Sequence, residues 1–442
     1  MGVDDLIPSL RVSHPHVMYE TPITLRSHAL LVDGHSSLMA VLTGSEAATP
    51  GEMYHRFLAP VRRWLGLQRD PSMPQTLVLV MDKSALVPKE KEAEQKKRRV
   101  REESDIAKAR EAGTYTDFSK TRELDFEHVP DKIYPVSIRT QPHAKTALIR
   151  YFYNRLLTGP VLEDDLRLVV DFYADRPAAY RRGSSLVNDM PGSTKGEGEM
   201  AICDWTTRLP AAFYGSPDVA SADITVQWRT DDADVVAAGF KYAARGDLDR
   251  CVVTWAVYSN PTVRPLWCNL TMLYAEFMRM GVTPVRLAVL CACMGCDYAL
   301  KSDFTRGIGG PTVWVNGLEA CAQRAWAAKT ESVDEARDYL VASIKARGRR
   351  AMPNAKSKKR KTEEKSDDDD DDDSGFASFA TGAKIASIKS KKRPAVAAAQ
   401  DSFDFKPRTQ SESADLSLAP RVQLSPPAIE AVRFLVSYWA AA

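Results

Sequence analysis

An α/β fold, with a mostly parallel central sheet flanked by helices, is what this 442-residue sequence predicts. Two observations carry the prediction. Short, wholly apolar runs recur, Ala29-Leu30-Leu31-Val32 and Leu77-Val78-Leu79-Val80-Met81 among them, and unalternated runs of that length suit strands buried on both faces. Between them lie segments of helical spacing, such as Met53, Phe57, Val61 and Leu65, able to carry the chain to the next parallel strand by the usual right-handed crossover. A third observation concerns chemistry. Asp33 follows the first run and Asp82 the second, while Asp232 and Asp234 follow Ile224-Thr225-Val226-Gln227-Trp228 after a short turn. An open parallel sheet assembles its site along the edge where the strands end, so these carboxylates are expected to converge.

Composition sets the outer limits. An apolar fraction of 44% is ample for a core, and the length fits either one elaborated domain with tails or two to three domains. The net charge of +2 averages over blocks of opposite sign. Seven cysteines, with no secretory apolar stretch after Met1, predict reduced thiols in an intracellular protein. No apolar run reaches the length of a membrane span, so no membrane partner is expected.

Residues 2–40 read as a short helix, a loop and a strand from His28 to Val32, followed by a helical segment over 50–67 and a strand over 76–81. From Lys89 to Arg101 the chain is dense in Lys, Arg and Glu and nearly empty of large apolar residues, which predicts a solvated helix or ordering loop over the sheet edge. A helix over 141–157 places Ile149, Phe152 and Leu156 on one face, and Leu166 to Asp171 forms a core strand that continues through Phe172 and Tyr173. The stretch 181–196, rich in Gly, Ser, Asn and Pro, predicts a loop leading to Glu197 and to a helix over 199–207. Val235 to Tyr242 reads as a helix, Arg250 to Tyr258 as a central strand, and 266–280 and 285–295 as buried helices, the second closing at Asp297. The glycine turn Arg306 to Pro311 leads into a helix-like stretch over 312–329, and an amphipathic helix over 333–347 ends the compact domain near Arg350.

The composition then changes abruptly. A basic cluster (Lys356 to Lys361), an unbroken acidic run (Asp367 to Asp373) and a second basic cluster (Lys389 to Arg393) sit in a segment without apolar period, so residues 351–423 are expected to be a disordered charged tail. The basic clusters suit nuclear import, which predicts a nuclear location or a viral DNA replication compartment, and would add sequence-independent DNA affinity. Within 424–442, Ser425-Pro426-Pro427 starts an amphipathic helix with Ile429, Val432, Leu435, Val436 and Trp439 on one face.

The densest chemistry lies in Lys195-Gly196-Glu197-Gly198-Glu199, two carboxylates flanked by glycines where a polar loop gives way to an apolar-periodic segment. Alone, such a pair suits the first turn of any helix. In the company of Asp33, Asp82, Asp232, Asp234 and Asp297 it makes a set of seven carboxylates, with His35 the nearby histidine. Hard Mg²⁺ prefers such oxygen donors. Two divalent ions roughly 4 Å apart neutralise both the attacking and the leaving oxygen in phosphodiester hydrolysis. Zinc fits badly, because Cys291, Cys293 and Cys296 lack a second pair at ligand spacing and lie in an apolar run. A site this acidic repels a polyanion; Lys89, Lys96, Lys97, Arg98 and Arg99, seven or more residues past Asp82, are the obvious supply of compensating cations. Gly307-Ile308-Gly309 offers backbone N–H groups to phosphate at a helix start.

Taken in order, these residues resemble the flap endonuclease and XP-G family of structure-specific nucleases, which is related to the 5′→3′ exoribonucleases. The match spans roughly residues 1–330: Met1-Gly2-Val3, Asp33, Asp82 with Lys89 and the basic stretch after it, Glu197 and Glu199, Asp232 and Asp234, Met294-Gly295-Cys296-Asp297-Tyr298 and Gly307-Ile308-Gly309. The resemblance implies a PIN-like nuclease core over 1–350, with an arch or insertion at about 83–160 and a helix-turn-helix at about 298–330. It implies two Mg²⁺ ions, replaceable by Mn²⁺, on Asp33, Asp82, Glu197, Glu199, Asp232, Asp234 and Asp297. It also implies catalytic cations at Lys89 and at Lys96 or Arg99, DNA contacts at Gly2, Gly307, Ile308 and Gly309, and a K⁺ ion at the helix-turn-helix. The implied activity is cutting of branched or 5′-ended DNA in replication, recombination or repair.

This chain departs from the pattern in places. Met39 stands where the flap enzymes usually place a base-stacking aromatic, and Gly310-Pro311-Thr312 replaces the usual Pro-Lys after the glycine turn. Gln400 to Phe405 faintly resembles the sliding-clamp peptide of replication nucleases, with its aromatic pair displaced. Gly196-Glu197-Gly198-Glu199 and Asp232-Ala233-Asp234 read closer to the exoribonuclease branch, which makes a 5′→3′ exoribonuclease the first alternative. A DNA-binding scaffold that keeps the fold is the second, opposed by the retention of so many mutually repelling carboxylates.

Overall fold

The computed structural model describes residues 6–19, 26–83, 92–119, 121, 123–129, 131–215, 223–257, 266–295 and 310–321. In chain order they form α1 (Leu6–Ser13), β1 (Met18–Tyr19), β2 (Ala29–Asp33), α2 (Gly34–Leu42), α3 (Pro50–Phe57), α4 (Ala59–Leu67) and β3 (Thr76–Val80). Then come α5 (Glu92–Glu111), α6 (Pro135–Arg139), α7 (Pro142–Thr158), β4 (Arg167–Asp171), β5 (Ala178–Arg182), β6 (Ser185–Met190) and α8 (Gly198–Phe213). The remainder is β7 (Ile224–Arg229), α9 (Val235–Ala244), β8 (Cys251–Val257), β9 (Leu266–Asn269), α10 (Leu270–Met280), α11 (Pro284–Met294) and α12 (Gly310–Cys321).

The strands make one mixed sheet in the order β1-β9-β8-β7-β2-β3-β4-β5-β6. The five central strands, β8 to β4, run parallel, and the outer strands at both edges pair antiparallel. The apolar runs serve both faces. Leu30 and Val32 of β2 and Leu77 and Leu79 of β3 pack in one layer with Leu38, Met53, Phe57, Trp64 and Phe152 of α2, α3, α4 and α7. Their alternates Leu31, Val78 and Val80 pack in a second layer with Met200, Trp205, Phe240, Phe277 and Leu290 of α8 to α11.

This division of layers follows from chain direction. From β2 through β3 to β4 the chain steps one way across the sheet, with α2–α4 and α7 over the first face. It then returns through α8 to β7, on the other side of β2, and steps on to β8 through α9 over the second face. Right-handed crossovers travelling in opposite directions cover opposite faces. The reversal between β2 and β7 is the topological switch point, where the loops diverge and leave a crevice.

Three local readings are corrected. The polar stretch 181–196 contains most of a hairpin: β5 and β6 pair antiparallel through a turn with Gly183 at φ 54°, and the sheet edge does not demand an apolar run. Arg181 in that hairpin donates to Leu156 O and Gly159 O, both at 2.8 Å, and so satisfies carbonyls at the end of α7. The strand ending at Asp171 does not continue through Phe172 and Tyr173. The segment 266–280 begins with four strand residues before Asn269 caps α10, its side chain accepting from Met272 N at 3.1 Å. The readings on Gly2, Lys89, Asp297, Gly307, Ile308 and Gly309, on the helix over 333–347, and on the tail and C-terminal helix lie outside the described residues.

Candidate metal centre

At the end of β2, Asp33 becomes the cap of α2. Its Oδ1 accepts from His35 N (2.9 Å) and Ser36 N (3.2 Å), and its Oδ2 from Ser36 Oγ and Thr230 Oγ1 (3.1 Å). Four donors fix the carboxylate. Burial, followed by the charge of Asp82, raises its pKa above the usual carboxylate range.

Asp82 sits two residues beyond β3. Its Oδ1 accepts from Gly198 N, the first residue of α8, at 2.9 Å, and its Oδ2 lies 3.6 Å from His35 Nδ1. The same glycine faces Asp33: a Cβ built there would lie 2.6 Å from Asp33 Oδ1, 2.9 Å from its Cγ and 3.4 Å from Asp82 Oδ1. Only a residue without a side chain lets the start of α8 approach both carboxylates, and the positive end of that helix favours their charge.

Glu197 holds the N-cap position of α8 and Glu199 lies in its first turn; their residues are 1% and 5% exposed. Beyond β7 the turn is built by Thr230 and Asp232. Asp232 N donates to Thr230 Oγ1 at 3.1 Å, and Asp234 N donates to Asp232 Oδ1 at 3.0 Å. That turn delivers Asp234, fully buried, to the start of α9. One carboxylate oxygen from each of Glu199, Asp232 and Asp234 lies within 4.8 Å of the others. The Thr230 hydroxyl joins the two groups of carboxylates, since it donates to Asp33 while accepting from the Asp232 backbone.

The structure therefore places Asp33 and Asp82 against Gly198, and Glu199, Asp232 and Asp234 together across the first turn of α8. Lys96 and Arg99 are exposed on α5. Arg98 is the α5 cation whose charge reaches both His35 and Lys145. Lys145, on α7, is a cation that sequence reasoning missed. Its Nζ lies 3.5 Å from His35 Nε2 and 3.9 Å from Met39 Sδ, and burial lowers its pKa while Asp82 and Glu102 raise it. Burial likewise lowers the His35 pKa. The ring thus stands between the two groups, Nδ1 toward Asp82 Oδ2 and Nε2 toward Lys145 Nζ.

The donor set is suited to a hard divalent cation. Three carboxylate oxygens converge within 4.8 Å, two of them from residues buried to 5% exposure or less, and mutual repulsion at that range is costly without a cation between them. No cysteine is in the group; the six described cysteines are buried elsewhere in the core.

Comparison with known proteins finds no matching family model and no matching curated protein. A solved structure described as the catalytic core of Rad2 in complex with DNA substrate is similar to this chain, with 12% sequence identity, coverage of 77% of this chain and 81% of that chain, and a TM-score of 0.34.

Proposed function

We propose that this chain is a metal-dependent nuclease that hydrolyses phosphodiester bonds in branched or 5′-ended DNA. The observation that carries the reading is the convergence of Glu199, Asp232 and Asp234 beside the Asp33–Asp82 pair at the switch point of the sheet. Mg²⁺ or Mn²⁺ bound by these carboxylates would supply an activated water and neutralise charge on the reacting phosphate.

The rest of the chemistry belongs to the chain. Asp33 is immobilised by its four donors, and Thr230 keeps the two carboxylate groups in register. Lys145, held by His35 on the Asp82 side of the site, offers an ammonium to a substrate phosphate, and Lys96, Arg98 and Arg99 of α5 extend the cationic approach. Such cations offset the repulsion between a polyanion and an acidic site. A K⁺-assisted duplex grip over 298–330, a clamp contact at Gln400 to Phe405 and nuclear delivery by the basic clusters belong to the same proposal and rest on the sequence.

The test is cleavage of end-labelled DNA 5′-flap, DNA duplex and 5′-phosphorylated RNA in Mg²⁺, with wild type beside Asp232→Ala. Flap or duplex cutting that the substitution abolishes supports the proposal. Digestion of RNA alone reassigns the chain to the exoribonuclease alternative. Binding without metal-dependent cutting of any substrate overturns the enzyme reading in favour of a scaffold.

A further inference from the structure

Directly behind the carboxylates lies an ion pair that the chemistry above does not use. Lys83, the residue after Asp82, and Asp171, the last residue of β4, face each other with Nζ and Oδ1 2.8 Å apart, and both side chains are 1% exposed. Taking two charges out of water is costly, and well-packed apolar residues often stabilise as much or more. Stability alone therefore does not account for the pair.

Its contacts point to position. Lys83 N donates to Gly196 O at 2.7 Å, and its Nζ donates to Ser193 O. Asp171 Oδ2 accepts from Ser193 N at 2.7 Å and from Trp205 Nε1 at 2.9 Å. Gly192 passes so close that a Cβ there would lie 2.9 Å from Asp171 Oδ1. The two side chains thus grip the loop before Glu197 at Ser193 and α8 itself at Trp205, while the Lys83 backbone holds the same loop at Gly196. One residue away on each side stand carboxylates of the candidate site: Asp82 precedes Lys83, and Glu197 follows Gly196.

We infer that Lys83 and Asp171 are a positioning pair that sets the separation between Asp82 and the carboxylates of α8, and hence the affinity of the site for divalent metal. The inference rests on the metal-dependent reading above. Outer groups that orient metal ligands typically change metal affinity 10–100-fold when removed.

The experiment measures Mn²⁺ binding to the full chain by the EPR signal of the free ion, independently of cleavage, alongside urea denaturation. Lys83→Met and Asp171→Asn are expected to lose both stability and affinity. The combined Lys83→Met, Asp171→Leu variant, which leaves no buried charge, is expected to recover stability while Mn²⁺ binding stays about 10-fold or more weaker than wild type. Wild-type affinity in that stable variant overturns the inference and leaves the pair a packing element. Should it not fold, Gly192→Ala decides: it keeps both charges and crowds Asp171 Oδ1, so weakened binding supports the inference and unchanged binding refutes it. Failure of wild type to bind Mn²⁺ removes the metal reading itself and the inference with it, a result visible before any variant is made.

Discussion

Gly198→Ala separates the geometry of this site from helix propensity, because the two predict opposite outcomes. Glycine in a helix costs up to about 1 kcal/mol relative to alanine, so propensity alone expects stabilisation. The added methyl, however, would sit 2.6 Å from Asp33 Oδ1 and 2.9 Å from its Cγ. Asp33 cannot swing aside without breaking bonds from His35 N, Ser36 N, Ser36 Oγ and Thr230 Oγ1. Forcing a methyl into such a contact costs about 1–3 kcal/mol, which outweighs the propensity gain and leaves a net loss of about 1 kcal/mol. Reaching ordinary contact requires the start of α8 to withdraw by about 0.8 Å, and a displacement of that size at a catalytic group reduces activity on the order of 100-fold. Urea denaturation and kcat/KM for Mg²⁺-dependent cleavage measure the two effects. Combining Asp33→Ala with Gly198→Ala should remove the clash, so the alanine at 198 should no longer destabilise in that background. A Gly198→Ala protein as active as wild type and at least as stable would refute the close approach.

Other perturbations test the electrostatics. Glu199→Gln removes one of three crowded carboxylates, so in EDTA it should melt above wild type and lose the upward shift in Tm expected of the wild-type chain in Mg²⁺; a shift in the variant equal to that of wild type would contradict the grouping. Lys145→Ala should raise KM about 10-fold through a lost phosphate contact while the Mg²⁺-induced shift in Tm is unchanged; loss of that shift would instead assign Lys145 to the architecture of the metal site. Lys241 of α9 is 2% exposed, and its Nζ has no hydrogen-bond partner among the described residues. Burial, then repulsion from Lys195 and Arg245, lowers its pKa from 10.5 to about 8. Between those values the unfolded chain binds more protons than the folded one, so this residue makes stability rise with pH across that window, and its full penalty stands below about 8. Lys241→Met should therefore exceed wild type in stability at neutral pH and lose that advantage near pH 10, as urea denaturation at both values would show; an equal advantage at both would refute the buried charge.

The parallel strands were legible because burial on both faces demands unbroken apolar runs, as in Leu77 to Val80. Strand-end carboxylates were legible for the related reason that polar groups collect where such runs stop. The β5–β6 hairpin was not, because its identity rests on pairing with β4, Arg167 opposite Arg182, rather than on its own polar composition. The four residues before α10 were equally opaque, since Leu266, Trp267 and Cys268 suit a buried helix as well as a strand. Within the site, the sequence showed glycines flanking Glu197 but not that Gly198 would serve Asp33, more than 160 residues away. Lys145 and His35 meet across 110 residues, a separation no local pattern records. Along α5 charge surrounds the helix, so no apolar stripe fixed its rotation and Arg98 could not be separated from Lys96 and Arg99.

The reversal of strand order between β2 and β7 also governs when the site comes into being. β2 finds β3 across a short stretch of chain, but its other neighbour is β7, with Leu31 opposite Trp228. Asp33 and Asp82 emerge from the ribosome long before Asp232 and Asp234, and pairing across so long a loop is entropically late. If the proposed function holds, this order would act as a safeguard during synthesis. A nascent chain, or a fragment ending anywhere before β7, carries only part of the carboxylate set, and the capacity to cut would arrive with the second half of the fold.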